Sequence, residues 1–143
     1  MVALTAARNT PLRMGDIRAE PLAASIKVFG GSLVMRNAAG YITKGATATG
    51  CVGVGRAEAT VDNSAGAAGA LSLEYRVGTF LFANSASGDL ITIADIGKAC
   101  FIVDDQTVAK TDGTTTRSRA GIVEAVDVNG VWVRCDEALT RAA

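Results

Sequence analysis

The chain has 143 residues, a length typical of a single domain, with 14 basic and 14 acidic side chains. Because the formal net charge is zero, no overall field favours nucleic acid, an anionic membrane or an acidic ligand. The chain contains no histidine, which excludes Ser-His and Cys-His nucleophiles and most zinc sites. We therefore expect no enzyme activity, no cofactor and no metal ion.

Residues 1–24 differ in composition from the rest of the chain. They contain both prolines, Pro11 and Pro21, and show no clean hydrophobic period. Proline lacks a backbone donor and disfavours helix in the residue before it. We predict an extended N-terminal arm over residues 1–24 and a β-rich domain over residues 25–143. The chain has no apolar leader and no run of about 18 apolar residues. We therefore expect neither a signal peptide nor a membrane span.

From residue 25 onward, short strand-like runs alternate with turn signals every 8–12 residues. The runs are SIKVF, SLVMR, YIT, GCVGVGRAEATV, ALSLEYRV, TFLFA, ACFIV and QTVAKT, in that order. Asn129-Gly130 lies between two alternating apolar runs, a pattern that strongly indicates a hairpin. TIADIG is compatible with one helical turn stopped by Gly97, and DEALTRAA has a weak helical period.

These runs predict a mainly β protein, a small antiparallel β-barrel or sandwich of short strands with an extended N-terminal arm. The chain is rich in alanine and has 16 glycines, residues that are weak in strands. We therefore expect the fold to depend on close backbone packing or on partner subunits.

The glycine-rich stretches do not match nucleotide-binding motifs. DNSAGAAG at residues 62–69 has no lysine, and GCVGVGRAE lacks the third small residue and the helix of a dinucleotide fingerprint. We interpret residues 62–69 as a turn with a close backbone approach. Gly66 and Gly69 would adopt positive φ or admit a neighbouring chain, from the same protomer or from another.

Other polar residues also favour structural roles. Asp104 and Asp105 are adjacent, so on a strand their side chains point to opposite faces. We expect them to cap a turn at a strand end, with a loose cation site that includes Asp112 as the alternative. A third alternative is acid–base chemistry between these aspartates and Lys98. The three cysteines form no CxxC, and we interpret them as reduced thiols, which favours a reducing compartment such as a cytoplasm: Cys51, Cys100 and Cys135.

Two further features have competing interpretations. The run KTDGTTTRSR is basic but has no interleaved aromatic residue, so we interpret it as a solvated loop or a protein contact rather than a nucleic-acid site. Trp132 is the single tryptophan, and it fits equally well as a core anchor or as an interface anchor.

Four segments in order carry a family resemblance: GSLV followed by NAAGY, VGRAE followed by DNSAGAAG, DDQTVAKTD, and RAGIV followed by GVWV. In this combination the chain resembles the capsid decoration (cement) proteins of tailed bacteriophages and prophages, notably Mu-like ones. The resemblance covers residues 25–135, and residues 1–24 match the pattern least.

The resemblance implies a structural virion protein rather than an enzyme. Such a protein forms a homotrimer on the outer surface of the phage head, binds the major capsid protein at local threefold positions and stabilises the capsid lattice. The protein would be assembled in the bacterial cytoplasm. The resemblance implies no nucleic-acid or membrane partner. The alternative is a surface-displayed β-domain that binds a receptor or carbohydrate, although seven aromatic residues are few for a glycan groove.

Two sets of contact residues follow from this expectation. The expected capsid contacts lie in the arm: Ala3, Leu4, Arg8, Pro11, Leu12, Arg13 and Met14. The expected protomer-interface residues, which could equally belong to the core, lie in two strands: Leu71, Leu73, Tyr75 and Trp132.

Overall fold

The computed structural model describes residues 2–143, and within that range it contains twelve strands, two 3₁₀ turns and one short α-helix. The strands are β1 (Ile17–Pro21), β2 (Ile26–Val28), β3 (Leu33–Arg36), β4 (Ile42–Lys44), β5 (Val52–Ala57), β6 (Val61–Asn63), β7 (Ser72–Arg76), β8 (Gly78–Asn84), β9 (Ala99–Ile102), β10 (Thr107–Ala109), β11 (Arg119–Asp127) and β12 (Gly130–Cys135). The 3₁₀ turns are Ser87–Asp89 and Ile93–Asp95, and helix α1 is Glu137–Ala142. The predicted mainly β class is confirmed.

The strands form an open sheet, a closed barrel and a small ribbon. The open sheet is antiparallel with the order β1-β7-β5-β3-β4, and β2 pairs with β6 in the ribbon. The barrel has the order β10-β8-β12-β11-β9 and closes on itself. Within it, β8 and β10 pair in parallel, whereas the other neighbours are antiparallel. Closure satisfies the strand edges that would otherwise expose unpaired backbone groups.

Strand β11 carries the bends that allow the barrel to close. Its register shifts between Val123 and Ala125 against β12, and between Arg119 and Gly121 against β9. A bulge of this kind bends a strand and increases its twist. The β11–β12 hairpin turns at Asn129-Gly130, as the sequence predicts.

Two apolar cores hold these layers. The barrel core contains Phe80, Phe82, Ile102, Val131 and Val133, among others, together with side chains from β3. The second core lies between the open sheet and the ribbon, and it includes the following residues: Leu22, Val28, Ile42, Leu73 and Tyr75. Because β3 contributes to both cores, the sheet and the barrel are packed as one body.

The predicted N-terminal arm is shorter than residues 1–24. Residues 17–21 form strand β1, which pairs with β7, and Leu22 is fully buried. The Asp16 carboxylate pairs with the Arg76 guanidinium at 2.9 Å, and this contact fixes the start of β1. Pro21 is compatible with β1 because β1 is an edge strand, where a missing donor is tolerated. The extended arm therefore ends before Ile17.

Residues 62–69 form a turn, as the sequence predicts, and hydrogen bonds within the same chain hold this turn in place. The Asn63 side chain is buried, and its Nδ2 donates to the carbonyl oxygens of Ala23 at 2.9 Å and Ala67 at 3.1 Å. Gly69 has a φ of +81°. The close neighbour of Gly66 is the Asn63 side chain, so the crowding lies within one chain.

Candidate interaction surfaces

The N-terminal arm is an exposed segment. Every residue from 2 to 17 is exposed, and four large apolar side chains are 72–93% accessible, namely Val2, Leu4, Leu12 and Met14. The charged side chains before Asp16 are Arg8 and Arg13. Thirteen extended residues span on the order of 40 Å, comparable to the diameter of a domain of this size. The arm is therefore an apolar, basic segment that can reach a neighbouring molecule.

The seven expected capsid-contact residues all lie on this exposed segment: Ala3, Leu4, Arg8, Pro11, Leu12, Arg13 and Met14. Exposure leaves these side chains available for a partner. It does not identify that partner, so their contact with capsid remains a prediction.

A second apolar surface lies on the outside of the barrel around Trp132. Val131 and Val133 point into the core, so alternation along β12 directs Trp132 outward. Trp132 is half-buried and is opposite Leu81 on β8 and Ala125 on β11, both of which are exposed. We call these three residues the Trp132 face. Of the two interpretations of Trp132, the structure excludes a position in the barrel core.

The indole of the Trp132 face is held in one orientation. Its Nε1 donates to the Asp127 carboxylate at 3.1 Å, and this hydrogen bond lowers the pKa of Asp127. A groove of about 390 Å³ runs beside it, lined by Arg56, Phe80 and Leu81 among others. The Arg56 guanidinium lies 4.5 Å from the centre of the Phe80 ring. An oriented tryptophan beside a groove that contains both aromatic side chains and an arginine is typical of a protein-binding surface.

Two of the four expected protomer-interface residues are buried within a single chain. Leu73 is 0% and Tyr75 is 3% exposed, and both belong to the core beneath the open sheet. Strand β7 lies between β1 and β5, so the inward face of β7 is covered by its own protomer. Of the two alternatives for Leu73 and Tyr75, core or protomer interface, the structure therefore supports the core. Leu71 is 43% exposed and, with Trp132, remains a candidate.

The Tyr75 hydroxyl belongs to a polar network that joins the open sheet to α1. The Arg36 Nε donates to both Glu137 carboxylate oxygens at 3.1 Å, and its Nη2 is 3.5 Å from the Tyr75 hydroxyl. Burial raises the pKa of Tyr75. Arg36 also donates to the Gly40 carbonyl at 2.9 Å. These contacts are satisfied within the chain, which indicates a structural role.

The candidate acidic residues are engaged in local structure. The Asp104 carboxylate accepts from the Gln106 backbone N–H at 2.9 Å, so its turn-capping role is confirmed. The Lys98 ammonium lies 3.9 Å from the buried Asp95 carboxylate. Within residues 2–143, no group of three or more His, Cys, Asp or Glu side chains is placed to hold a metal ion. The alternative cation site at Asp112 is therefore not formed.

All three thiols are free, as the sequence predicts. Cys100 and Cys135 are buried in the barrel core, and loss of solvation raises the pKa of each from 9.0 to about 12. Burial also raises the pKa of the half-buried Cys51. The raised pKa values keep these thiols protonated at neutral pH, which makes them poor nucleophiles.

Across residues 2–143, no helix has the length and apolar character needed to cross a membrane. Comparisons of the chain with protein-family models, with curated proteins and with solved structures found no match. The functional argument therefore depends on the exposed arm, the Trp132 face and the sequence segments themselves.

Proposed function

We propose that this chain is a structural virion protein, a trimeric decoration (cement) protein on the outer surface of a tailed-phage head. It binds the major capsid protein at local threefold positions and stabilises the capsid lattice. The observation that carries the proposal is the exposed arm, whose large apolar side chains have no cover among residues 2–143. The ordered set of family-like segments between residues 25 and 135 is the reason for proposing the major capsid protein as the partner of the arm.

The physical design suits a lattice-binding role. A closed barrel with two packed cores supplies a rigid body, and the arm supplies an adaptable contact. Each arm offers a modest interface, but a trimer presents three arms at once, so binding is strengthened by effective concentration. Zero net charge suits a partner that is protein rather than nucleic acid.

The Trp132 face and Leu71 are the proposed contacts between protomers. Aromatic side chains at the centre of an interface commonly supply a large share of its binding energy. The hydrogen bond to Asp127 fixes the indole in advance, which lowers the entropy lost on association. The cyclic symmetry of a trimer would then cover this surface in every protomer.

Deleting residues 1–14 is expected to abolish binding to heads while leaving the domain folded. The deletion keeps the Asp16–Arg76 ion pair and strand β1, and every described residue that it removes, 2–14, is exposed. The free energy of unfolding should therefore change by less than about 0.5 kcal/mol. Binding is measured by co-sedimentation with undecorated heads, and folding by denaturant titration.

A matched pair of full-length variants separates the apolar contacts from arm length. The double variant Leu12→Ser/Met14→Ser should lose most head binding, whereas Thr5→Ser/Thr10→Ser should retain it. Wild-type binding by the truncated chain would refute the role of the arm. If the full-length chain also fails to bind heads but binds an arrayed glycan, the receptor-binding alternative replaces the proposal.

Light scattering of the wild-type chain is expected to give a mass near three times the 14.6 kDa of one protomer. The variant Trp132→Ser should shift the protein toward monomer, because it removes the apolar centre of the Trp132 face. The control Phe29→Ser removes another exposed aromatic side chain and should leave the mass unchanged. A monomeric wild type at micromolar concentration, or a trimeric Trp132→Ser variant, would count against this interface.

A further inference from the structure

A pocket of about 470 Å³ opens between β9, helix α1 and the loop that precedes β11. Three arginines line it, Arg117, Arg119 and Arg141, together with one acidic residue, Asp112. We call it the arginine pocket. Its volume lies within the range of sites that hold small ligands. Arg117 is paired with Asp89 and Arg141 with Glu137, so Arg119 is the arginine of the pocket whose charge has no ion-pair partner in the described residues.

The arginines of this pocket keep unused hydrogen-bond donors. Arg117 Nη1 donates to Asp89 at 3.2 Å and to the Thr111 carbonyl at 3.1 Å, but its buried Nε has no partner among residues 2–143. Arg141 donates to Glu137 through Nε and Nη2. Arg119 is exposed and forms no ion pair within the described chain.

The loop that forms one wall is held in an unusual conformation. Gly113, Thr114 and Thr115 have consecutive φ values of +62°, +62° and +61°. A β-branched residue at positive φ costs on the order of 1–3 kcal/mol, so the surrounding contacts must hold it there. The Asp112 carbonyl oxygen accepts from the backbone N–H of Arg117 at 3.0 Å, which closes the turn.

The opposite wall is also fixed by hydrogen bonds. The Ser118 hydroxyl donates to the Ala48 carbonyl at 2.7 Å and accepts from the Cys51 backbone N–H at 3.0 Å. These bonds tie the start of β5 to the residue that follows Arg117. Arg117 and Arg119 therefore project from backbone whose position is set before any ligand arrives, which reduces the ordering cost of binding.

We propose that the arginine pocket binds a small oxyanion, a phosphate or a carboxylate group. The planar guanidinium fork matches both groups through paired N–H donors. The exposed Arg119 supplies a free guanidinium fork, Arg141 adds its remaining Nη1, and the unpartnered Nε of Arg117 adds positive polarity to the wall. This site is independent of the arm and of the Trp132 face, so it holds whether or not the chain decorates capsids.

The test is isothermal titration calorimetry of the full-length protein at low ionic strength, with inorganic phosphate in one series and succinate in another. We expect saturable binding with one site per chain for at least one of the two. The variants Arg119→Gln and Arg141→Gln should each weaken that binding about tenfold, the loss typical of one charged hydrogen-bonding partner. Both side chains are exposed, so both variants should fold normally.

Arg134→Gln is the matched control, because Arg134 is exposed on β12 and does not line the pocket. It removes the same charge and should leave the affinity unchanged. Binding of phosphate alone or of succinate alone assigns the oxyanion. The proposal is overturned if neither ligand gives saturable binding, or if Arg134→Gln weakens binding as much as the pocket variants do.

Discussion

Replacing Gly53 with alanine is expected to prevent stable folding. Gly53 lies on β5 of the open sheet, and its Cα faces the backbone of Ala120 on β11 of the barrel. A methyl group at Gly53 would lie 2.8 Å from the Cα and the carbonyl carbon of Ala120, and closer still to its oxygen. Because these atoms belong to a backbone, no side-chain rotation can relieve the clash, and the sheet would have to separate from the barrel.

The expected cost of Gly53→Ala exceeds about 3 kcal/mol, since ordinary overpacking of a core already costs about 1–3 kcal/mol. That is a large share of the about 5–15 kcal/mol that stabilises a typical domain. Soluble yield and the midpoint of denaturant unfolding measure the effect.

Gly88→Ala serves as the control for this prediction. Apart from its chain neighbours and the backbone of its own 3₁₀ turn, a methyl group at Gly88 would meet no atom of the described residues within 4 Å, and Gly88 does not have positive φ. The control should unfold within about 0.5 kcal/mol of wild type. A Gly53→Ala variant with a wild-type midpoint would show that the sheet and the barrel do not pack as tightly as the structure describes.

The Gly53 contact illustrates how far the sequence could predict this fold. The abundance of glycine and alanine predicts close backbone packing, and the alternation over residues 51–61 predicts a strand. Neither pattern identifies Gly53 as the critical position, because its neighbour Ala120 is 67 residues away and belongs to another sheet. Local patterns therefore predicted the strands and the Asn129-Gly130 hairpin, but not the contacts between layers.

The sequence does not predict the N-terminal boundary of the domain, for a related reason. Pro21 and the charged residues between 13 and 20 favour an irregular arm, and β1 gains its order from pairing with β7, more than 50 residues later. The same limit applies to β8 and β10, whose parallel pairing depends on the path of the intervening chain. Non-local pairing of this kind leaves little trace in local propensity.

The candidate surfaces divide along similar lines. Strand β7 alternates apolar and polar residues, which predicts one covered face but does not say whether the same chain or a partner covers Leu73 and Tyr75. Strand β12 is apolar on both faces at Trp132, so only the structure identifies its outward face. The arginine pocket lies between the start of β11 and α1, and the spacing of these elements along the chain does not predict that they are close in space.

Raising the pH from 8 to 11 is expected to destabilise the protein strongly through its buried thiols. The pKa of Cys100 and of Cys135 is raised from 9.0 to about 12 by burial in the barrel, and for Cys135 also by its proximity to Cys100. Below pH 9 both thiols are neutral in the folded and the unfolded chain, so their burial carries no ionisation penalty. Above pH 9 the unfolded chain ionises while the folded chain retains its protons, so the free energy of unfolding falls until the pH passes 12.

The expected slope is about 1.4 kcal/mol per pH unit for each thiol, or on the order of 5 kcal/mol for the pair by pH 11. Burial raises the pKa of Tyr75 as well, which acts in the same direction. Denaturant unfolding between pH 8 and 11, with a reductant present to keep the thiols free, measures the slope.

Substituting the buried thiols tests whether they cause this alkaline loss. Cys100→Ala/Cys135→Ala should be less stable at pH 8, because it leaves small cavities in the barrel core, yet its stability should decline much less between pH 9 and 10.5. Cys51→Ala should retain most of the wild-type slope, since Cys51 is only half-buried. Parallel pH profiles for wild type and the double variant would mean that other groups control the alkaline transition. A flatter profile in the double variant would identify the barrel interior as the part of the molecule that alkali disrupts.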